Sequence, residues 1–249
     1  MNKLKISELP TLLDTELSKD EAIEIIKERA EKISRLLQQL YAQKKYSMLI
    51  ILQGMDGSGK DGALKKVFTK TPPFVLNNYS FKKPTKQEFA HDFLWRVHKK
   101  CPGKGEVMIF NRSHYEDILI QYVHKWIGPE VRKQRMQHIN NFERMLQEGA
   151  NTVILKFYLN ISYEQQEIEL QQRIDEYDKH WKHNPGDWEE RKHWDDYMEA
   201  YEYILNHSDI PWHVLPVDKR YHRDLVLSEV LLEALENLDL EWPRLPEEN

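Results

Sequence analysis

Gly54-Met-Asp-Gly-Ser-Gly59-Lys60 fits the spacing G-x-x-x-x-G-K. Glycines there let the backbone wrap an anion and aim N–H groups and a helix start at phosphate oxygens, which the lysine neutralises. The apolar run at residues 47–53 before the loop reads as a buried strand, and residues 60–69 after it as a helix. In that setting Gly57, Ser58, Gly59, Lys60, Asp61 and Gly62 are expected to bind phosphate. Residues 57–62 also satisfy G-x-G-x-x-G, but a dinucleotide fold needs an acid about 20 residues further on for the ribose. The chain has Tyr79, Ser80, Phe81, Lys82 and Lys83 there, so that reading fails.

Position 61, where phosphate-loop enzymes place a Ser or Thr on Mg²⁺, is Asp61. A metal must be held otherwise, and carboxylates are its natural hard ligands. Asp56 inside the loop is one candidate; its other reading is a turn residue bonded to its own backbone. A second strand, Val107–Phe110, runs into Asn111-Arg112-Ser113-His114-Tyr115-Glu116-Asp117. This strand usually ends in the aspartate that orients Mg²⁺. Here it ends in Asn111, and the nearest acids, Glu116 and Asp117, stand about a turn into the next helix, where an acceptor would be selected. Arg112 is expected at the carboxyl edge of the sheet, offsetting charge on a transferring phosphoryl group, or else bridging the sheet end.

The elements that position these groups alternate. Ser18 and Glu21 form a capping box for an amphipathic helix over 19–43. Further β-favouring runs lie at 74–79, 106–110, 152–159 and 212–217. Helical patterns lie near 85–100, 114–125, 129–148, 162–178, 187–206 and 221–238. Five buried strands separated by helices imply a three-layer α/β fold with a mostly parallel sheet covered on both faces. Residues 175–187 interrupt two helical patterns with a Pro-Gly turn, and Asp187 with Glu190 is placed to cap the second. Such an arm, with Arg173, Lys179, Lys182, Arg191 and Lys192, reads as a lid over an anionic site or as an ordinary surface hairpin. Trp181, Trp188 and Trp194 read as packing residues, and His180 and His183 as polar lid residues rather than a zinc pair.

The 249 residues carry 36 Lys and Arg against 41 Asp and Glu, a net charge of −5. Residues 60–112 hold twelve Lys/Arg and only four acids, so a basic segment of +8 sits within a remainder of −13. That asymmetry can focus an anionic ligand, and Lys65 and Lys66 with Lys82 and Lys83 offer a track for a polyanion. Cys101 is the sole cysteine, which excludes an internal disulfide or a cysteine-cluster metal site. The chain shows no run of about 18 apolar residues and no secretory h-region. The expectation is a cytoplasmic protein with one domain over 1–249, an N-terminal helical extension over 1–44, a helical lid near 170–200, and a carboxyl tail over 241–249 that is docked or frayed.

Together these residues resemble the polyphosphate kinase 2 family. The resemblance rests on Gly54–Gly62, His91–Arg96, Phe110–Asp117 and the lid run Trp181-Lys182, Gly186-Asp187, Glu190-Arg191, Trp194–Tyr197 and Ala200–Glu202. In order, they span about residues 45–235. The resemblance implies a thymidylate kinase-like P-loop kinase fold with a five-stranded parallel sheet. It implies reversible Mg²⁺-dependent transfer between inorganic polyphosphate and nucleoside di- or monophosphates, in a homo-oligomer, dimer or tetramer. Carried onto this chain, Asp56 and Asp117 hold Mg²⁺, Lys60 and Arg112 grip the reacting phosphates, and Arg173, Lys182 and Arg191 close over them. The nucleotide is expected against Lys82, Lys83, Asn111 and Glu116, with no membrane or nucleic-acid partner. An ATP-dependent nucleoside monophosphate kinase is the alternative on the same fold. A catalytically silent phosphate-loop module is a third reading, against which the intact Asp56, Lys60, Arg112 and Asp117 argue.

Overall fold

The computed structural model describes residues 3–245. In chain order the elements are α1 (Lys19–Gln43), β1 (Ser47–Gln53), α2 (Lys60–Val67), β2 (Leu76–Ser80), α3 (Lys86–Phe89) and α4 (Trp95–His98). Next come β3 (Val107–Asn111), α5 (Ile120–Val123), α6 (Pro129–Ala150), β4 (Thr152–Asn160) and α7 (Tyr163–Asp175). The chain closes with α8 (Pro185–Arg191), α9 (Trp194–His207), β5 (Trp212–Pro216) and α10 (Arg220–Glu236). Short 3-10 turns at His114–Asp117 and Tyr177–Lys182 complete the site.

The five strands form one sheet in the order β2-β3-β1-β4-β5, and every pairing is parallel. All seven residues of β1 are buried. Successive strand side chains point to opposite faces, so both faces of the central strand are covered by helices. On one side α1, α2 and α10 pack together, while α6 packs against β4. The α1 stripe Ala22, Ile26, Ala30, Ile33, Leu37 and Leu40 is buried, and the Ser18–Glu21 capping box is present as expected. Burying each large aliphatic side chain contributes roughly 1.5–3 kcal/mol, so the core holds the sheet whatever the site above it does.

The parallel register brings the carboxyl ends of β1, β3 and β4 level, with Leu52 opposite both Asn111 and Phe157. Loops leaving those ends converge on one edge, where ligands of open α/β sheets bind.

Several helical boundaries differ from the sequence expectation: the helix expected over 187–206 breaks between α8 and α9, and that expected over 162–178 ends at Asp175. The helix expected over 85–100 breaks between α3 and α4, because the Asp92 carboxylate accepts from the backbone N–H groups of Leu94 and Trp95 and turns the chain there. The helix expected over 114–125 divides into the 3-10 turn and α5, separated by Leu119 at φ −92°, ψ −87°. At the lid, Asn184 rather than Asp187 caps α8, accepting from Gly186 N–H, while Asp187 pairs with Arg173. Of the carboxyl tail, residues 241–245 are exposed without regular structure and residues 246–249 lie outside the described residues.

Candidate active site

The loop between β1 and α2 is bent by backbone conformations that only glycine adopts freely. Gly54 has φ +154°, and a Cβ there would lie 2.8 Å from the Leu159 carbonyl oxygen. Gly59, at φ +78°, is the residue before α2, and a Cβ would meet the Arg223 guanidinium at 2.6 Å. The free N-terminus of α2 therefore faces the cleft, offering backbone donors and the positive end of its dipole. Lys60 is buried, and its ammonium donates to the carbonyls of Gly54 at 2.7 Å and Met55 at 3.1 Å. Burial lowers its pKa against the opposing pull of Asp56.

Arg112 leaves β3 in the left-handed region, at φ +62°, and donates to the Asp56 carboxylate at 2.6 Å. Burial would raise the Asp56 carboxyl, yet Lys60 and Arg112 beside it hold it below the ordinary value. Gln166 of α7 fixes the same loop from the lid side, donating to the Asp56 carbonyl at 2.8 Å. Asn111 donates to the Asp61 carboxylate, so the residue at the end of β3 and the one after the loop lysine hold each other.

Two cavities meet at the Asp56–Arg112 pair. The larger, about 620 Å³, is lined by the loop from Asp56 to Gly62, by Asn111 and by nine cations including Lys60, Lys82, Lys83, Arg112, Arg173 and Lys182. Its acids are Asp56, Asp61 and Glu169 alone. The smaller, about 200 Å³, has the opposite balance: Asp56, Glu116, Asp187 and Glu190 face Arg112. Burial raises the Glu116 carboxyl, against the pull of Arg112 and Lys60.

A group whose folded pKa lies above its unfolded value gives stability that is full below the unfolded value and lost as pH rises through the folded one. Ionised Glu116 therefore costs stability at neutral pH. Glu116→Gln is expected to unfold at a higher temperature than the parent at neutral pH, the advantage vanishing near about pH 4. Thermal unfolding across pH checks this, and equal midpoints at neutral pH would contradict it.

Most of the expected site residues are thus brought together: Asp56, the loop, Lys60, Asp61, Lys82, Lys83, Asn111, Arg112 and Arg173 with Lys182 around the larger cavity, and Glu116 in the smaller one beside it. Others are not. Asp117 lines neither cavity; it is 3% exposed, with its carboxylate engaged by Arg96 at 3.5 Å and Gln121 at 2.6 Å. The single 3-10 turn rotates Glu116 toward the loop and Asp117 away from it. Arg191 is also buried, donating to the Tyr163 carbonyl, Gln166 and Glu167, and so braces α8 against α7 instead of facing the cleft. Lys65 and Lys66 lie exposed on α2, outside both cavities. Trp194 packs edge-on against Tyr163 as expected, whereas Trp181 is 78% exposed and packs against little.

The lid cation Lys179 also lines the larger cavity, and the structure adds Arg220 and Arg223 to it. Arg223 is buried, pairs with Asp224 at 2.7 Å and donates to the Gly59 carbonyl at 2.9 Å. A signal for both was present: Arg220 and Arg223 crowd the start of α10, which has no acid in its first turn. Cations there oppose the helix dipole, and a broken local rule marks a functional position.

Comparison with known proteins agrees with this geometry. The profile of the family Polyphosphate kinase 2 matches residues 16–242. The chain is 43% identical over 227 residues to the AMP/ADP-polyphosphate phosphotransferase of Meiothermus ruber, covering 90% of this chain and 84% of that one. It is 37% identical to the ADP-polyphosphate phosphotransferase of Rhodopseudomonas palustris, covering 97% and 89%. The crystal structure of polyphosphate kinase 2 from Arthrobacter aurescens superposes with a TM-score of 0.89 at 33% identity, over 99% of this chain and 94% of that one.

Proposed function

This chain belongs to the polyphosphate kinase 2 family, with its P-loop kinase fold, and from that premise we propose how its two cavities divide the work of moving a phosphoryl group between polyphosphate and a nucleotide. The activity is that of a polyphosphate:nucleotide phosphotransferase. The observation that carries the division is the opposite charge of two cavities sharing Asp56 and Arg112. Polyphosphate has about one negative charge per phosphate, and by analogy with nucleic acid it needs a run of cations. The larger cavity supplies one, from Lys60 and Arg112 out to Arg173, Lys179 and Lys182. The smaller, with four carboxylates, repels such a chain, so the polymer's end stops at the junction.

The acceptor's phosphate lies against Asn111, Lys82 and Lys83, with AMP and ADP, the nucleotides in the name of the Meiothermus relative, as acceptors. Its terminal oxygen attacks the last phosphorus of the polymer. A new P–O bond forms as the bridging P–O bond breaks, and the shortened chain leaves with its electron pair. The transition state is loose and highly charged, so positioning and cations supply most of the catalysis. Lys60, Arg112 and the N-terminus of α2 provide both.

The donor set suits Mg²⁺. Asp56 and Glu116 line one small cavity, and the described residues contain no cluster of three or more His, Cys, Asp or Glu ready to enclose an ion. Mg²⁺ takes one or two carboxylates and completes its shell with water and substrate phosphate oxygens. Bound there, it would neutralise phosphate charge. Glu116 thereby replaces Asp117 as the partner of Asp56. Asp117→Asn is expected to stay folded, because burial already disfavours the Asp117 carboxylate and Arg96 keeps its bond to the Lys82 carbonyl. It should leave Mn²⁺ binding to the enzyme–polyphosphate complex intact, whereas Asp56→Asn removes it. Electron paramagnetic resonance titration separates the two variants; loss of Mn²⁺ in both would return Asp117 to the metal site.

The polymer track is tested by Lys179→Ala/Lys182→Ala, expected to raise KM for long-chain polyphosphate about tenfold while KM for the nucleotide holds. Lys66→Ala, lying off the cleft, is expected to change neither. An unchanged polyphosphate KM in the lid variant would remove the track. A homo-oligomer, dimer or tetramer, working in the cytoplasm without a nucleic-acid partner, completes the proposal. No helix among the described residues is long and apolar enough to cross a membrane.

A further inference from the structure

Behind the turn that carries Arg112 and Glu116 lies a charged cluster with no route to the cleft. His114, Tyr115, Glu143 of α6 and Lys156 of β4 are all 0% exposed. Glu143 Oε1 accepts from the Tyr115 hydroxyl at 2.9 Å and pairs with His114 Nε2 at 3.1 Å. Lys156 donates to Glu143 Oε2 and to the Tyr115 hydroxyl, each at 2.7 Å. Ser208, the residue closing α9, lies 3.2 Å from the same hydroxyl and accepts from the Trp212 indole of β5 at 2.8 Å. One carboxylate thus ties the turn to α6 and β4 directly and, through Tyr115 and Ser208, to α9 and β5.

Stability does not call for such a cluster. A buried ion pair seldom outdoes an apolar pair of the same volume, because both charges must leave water. The turn is held at Ser113 by Gln53 and at Asp117 by Arg96, Gln121 and Arg135, so its core side, His114 and Tyr115, rests on the Glu143 cluster. It is a single 3-10 turn of four residues, held by few backbone bonds, among them Glu116 N–H to Ser113 at 3.0 Å and Ile118 N–H to Tyr115 at 3.0 Å. It begins at Arg112, whose left-handed backbone is costly for a residue with a Cβ. In this run Arg112 and Glu116 face the cavities while His114 and Tyr115 point into the core. Whatever grips the second pair sets the first.

We infer that Glu143, with Lys156, is a positioning residue for phosphoryl transfer: it anchors His114 and Tyr115 and so holds Arg112 and Glu116 at the reacting phosphates. The inference rests on the phosphotransferase reading of the site. Transfer depends steeply on placement, and a displacement of 1 Å can cost about 100-fold in rate. A proton on Nε2 gives His114 its bond to Glu143, while Nδ1 is a buried atom without a partner. That cost is accepted for orientation.

Two kinds of variant separate positioning from stability. Tyr115→Phe keeps the ring and its edge contact with Trp212, whose centroid lies 4.9 Å away, but removes the hydroxyl. Its kcat is expected to fall about tenfold with KM for both substrates within about twofold. Amide exchange over residues 111–117 should quicken while that of α1 stays as in the parent. Glu143→Leu is expected to lower the melting temperature, and Glu143→Leu/Lys156→Met to recover it by removing the stranded ammonium, yet with kcat still about tenfold low. An unchanged kcat or unchanged exchange in Tyr115→Phe would overturn the inference. So would a double variant whose kcat returns along with its melting temperature. A parent enzyme that transfers nothing would overturn the phosphotransferase reading instead, and the exchange measurement would still decide whether the cluster anchors the turn.

Discussion

Lys60→Ala is expected to lower kcat by about 100- to 1,000-fold, the loss typical when one preorganised donor to developing charge is removed. The geometry argues for the upper end. Lys60 is buried at the base of the loop, and its ammonium spans the Gly54 and Met55 carbonyls, so it is pre-positioned where the phosphate will sit. Burial already strains its charged form, and Asp56 is the main group opposing that. A phosphate arriving in the loop relieves the strain, which links affinity to catalysis. Lys60→Arg should not rescue, because a planar guanidinium does not fit a site shaped for a point charge. Steady-state kinetics with thermal unfolding as a fold control checks both variants. Alanine activity within tenfold of the parent would remove Lys60 from the reaction.

Arg112→Gly is expected to have the largest effect of all, about 1,000-fold or more in kcat, the lower end of what an arginine on a transferring phosphoryl group supplies. Its stability should move the other way. Arg112 sits at φ +62°, a conformation that costs a residue with a Cβ about 1–2 kcal/mol and glycine almost nothing. The Asp56 ion pair is half-exposed and offsets only part of that cost. The variant should therefore be inactive yet no less stable than the parent, separating what the fold needs from what the reaction needs. Arg112→Gln, which keeps the strain and loses the charge, should be equally slow and less stable than Arg112→Gly. An active glycine variant would mean that the guanidinium only bridges the sheet end.

What was legible in the sequence was local. The loop from Gly54 to Gly62 is contiguous, and its glycines, its lysine and the flanking apolar run report one another within twenty residues. Four strands could be read because each is a short apolar run, and the parallel pairing followed from the helices between them, whereas β2, expected as a buried run over 74–79, is the polar and mostly exposed edge strand Leu76–Ser80 behind a 3-10 turn. Facing was harder to read. Glu116 and Asp117 are neighbours of the same chemistry, and a 3-10 turn in place of the expected α-helix decides which meets Asp56. Arg191 looked like a lid cation, yet its helix turns it onto Tyr163 with the guanidinium 3.4 Å from the ring centroid. Lys65 and Lys66 are near the loop in sequence but on the outer face of α2. Gln166 reaches the loop only through the packing of α7 beside it, so no spacing announces it. Periodicity says that a helix has two faces; only packing says which face meets the ligand.

The run of cations along the larger cavity suits a long polyanion as donor. The most direct test is ATP formation from ADP, long-chain polyphosphate and Mg²⁺, with AMP in a parallel lane and Lys60→Ala as the control. The account predicts ATP from ADP and its disappearance in the variant, with the AMP lane defining the acceptor range. Absence of nucleotide product from polyphosphate at low and moderate salt, with ATP serving as donor to AMP instead, would contradict it.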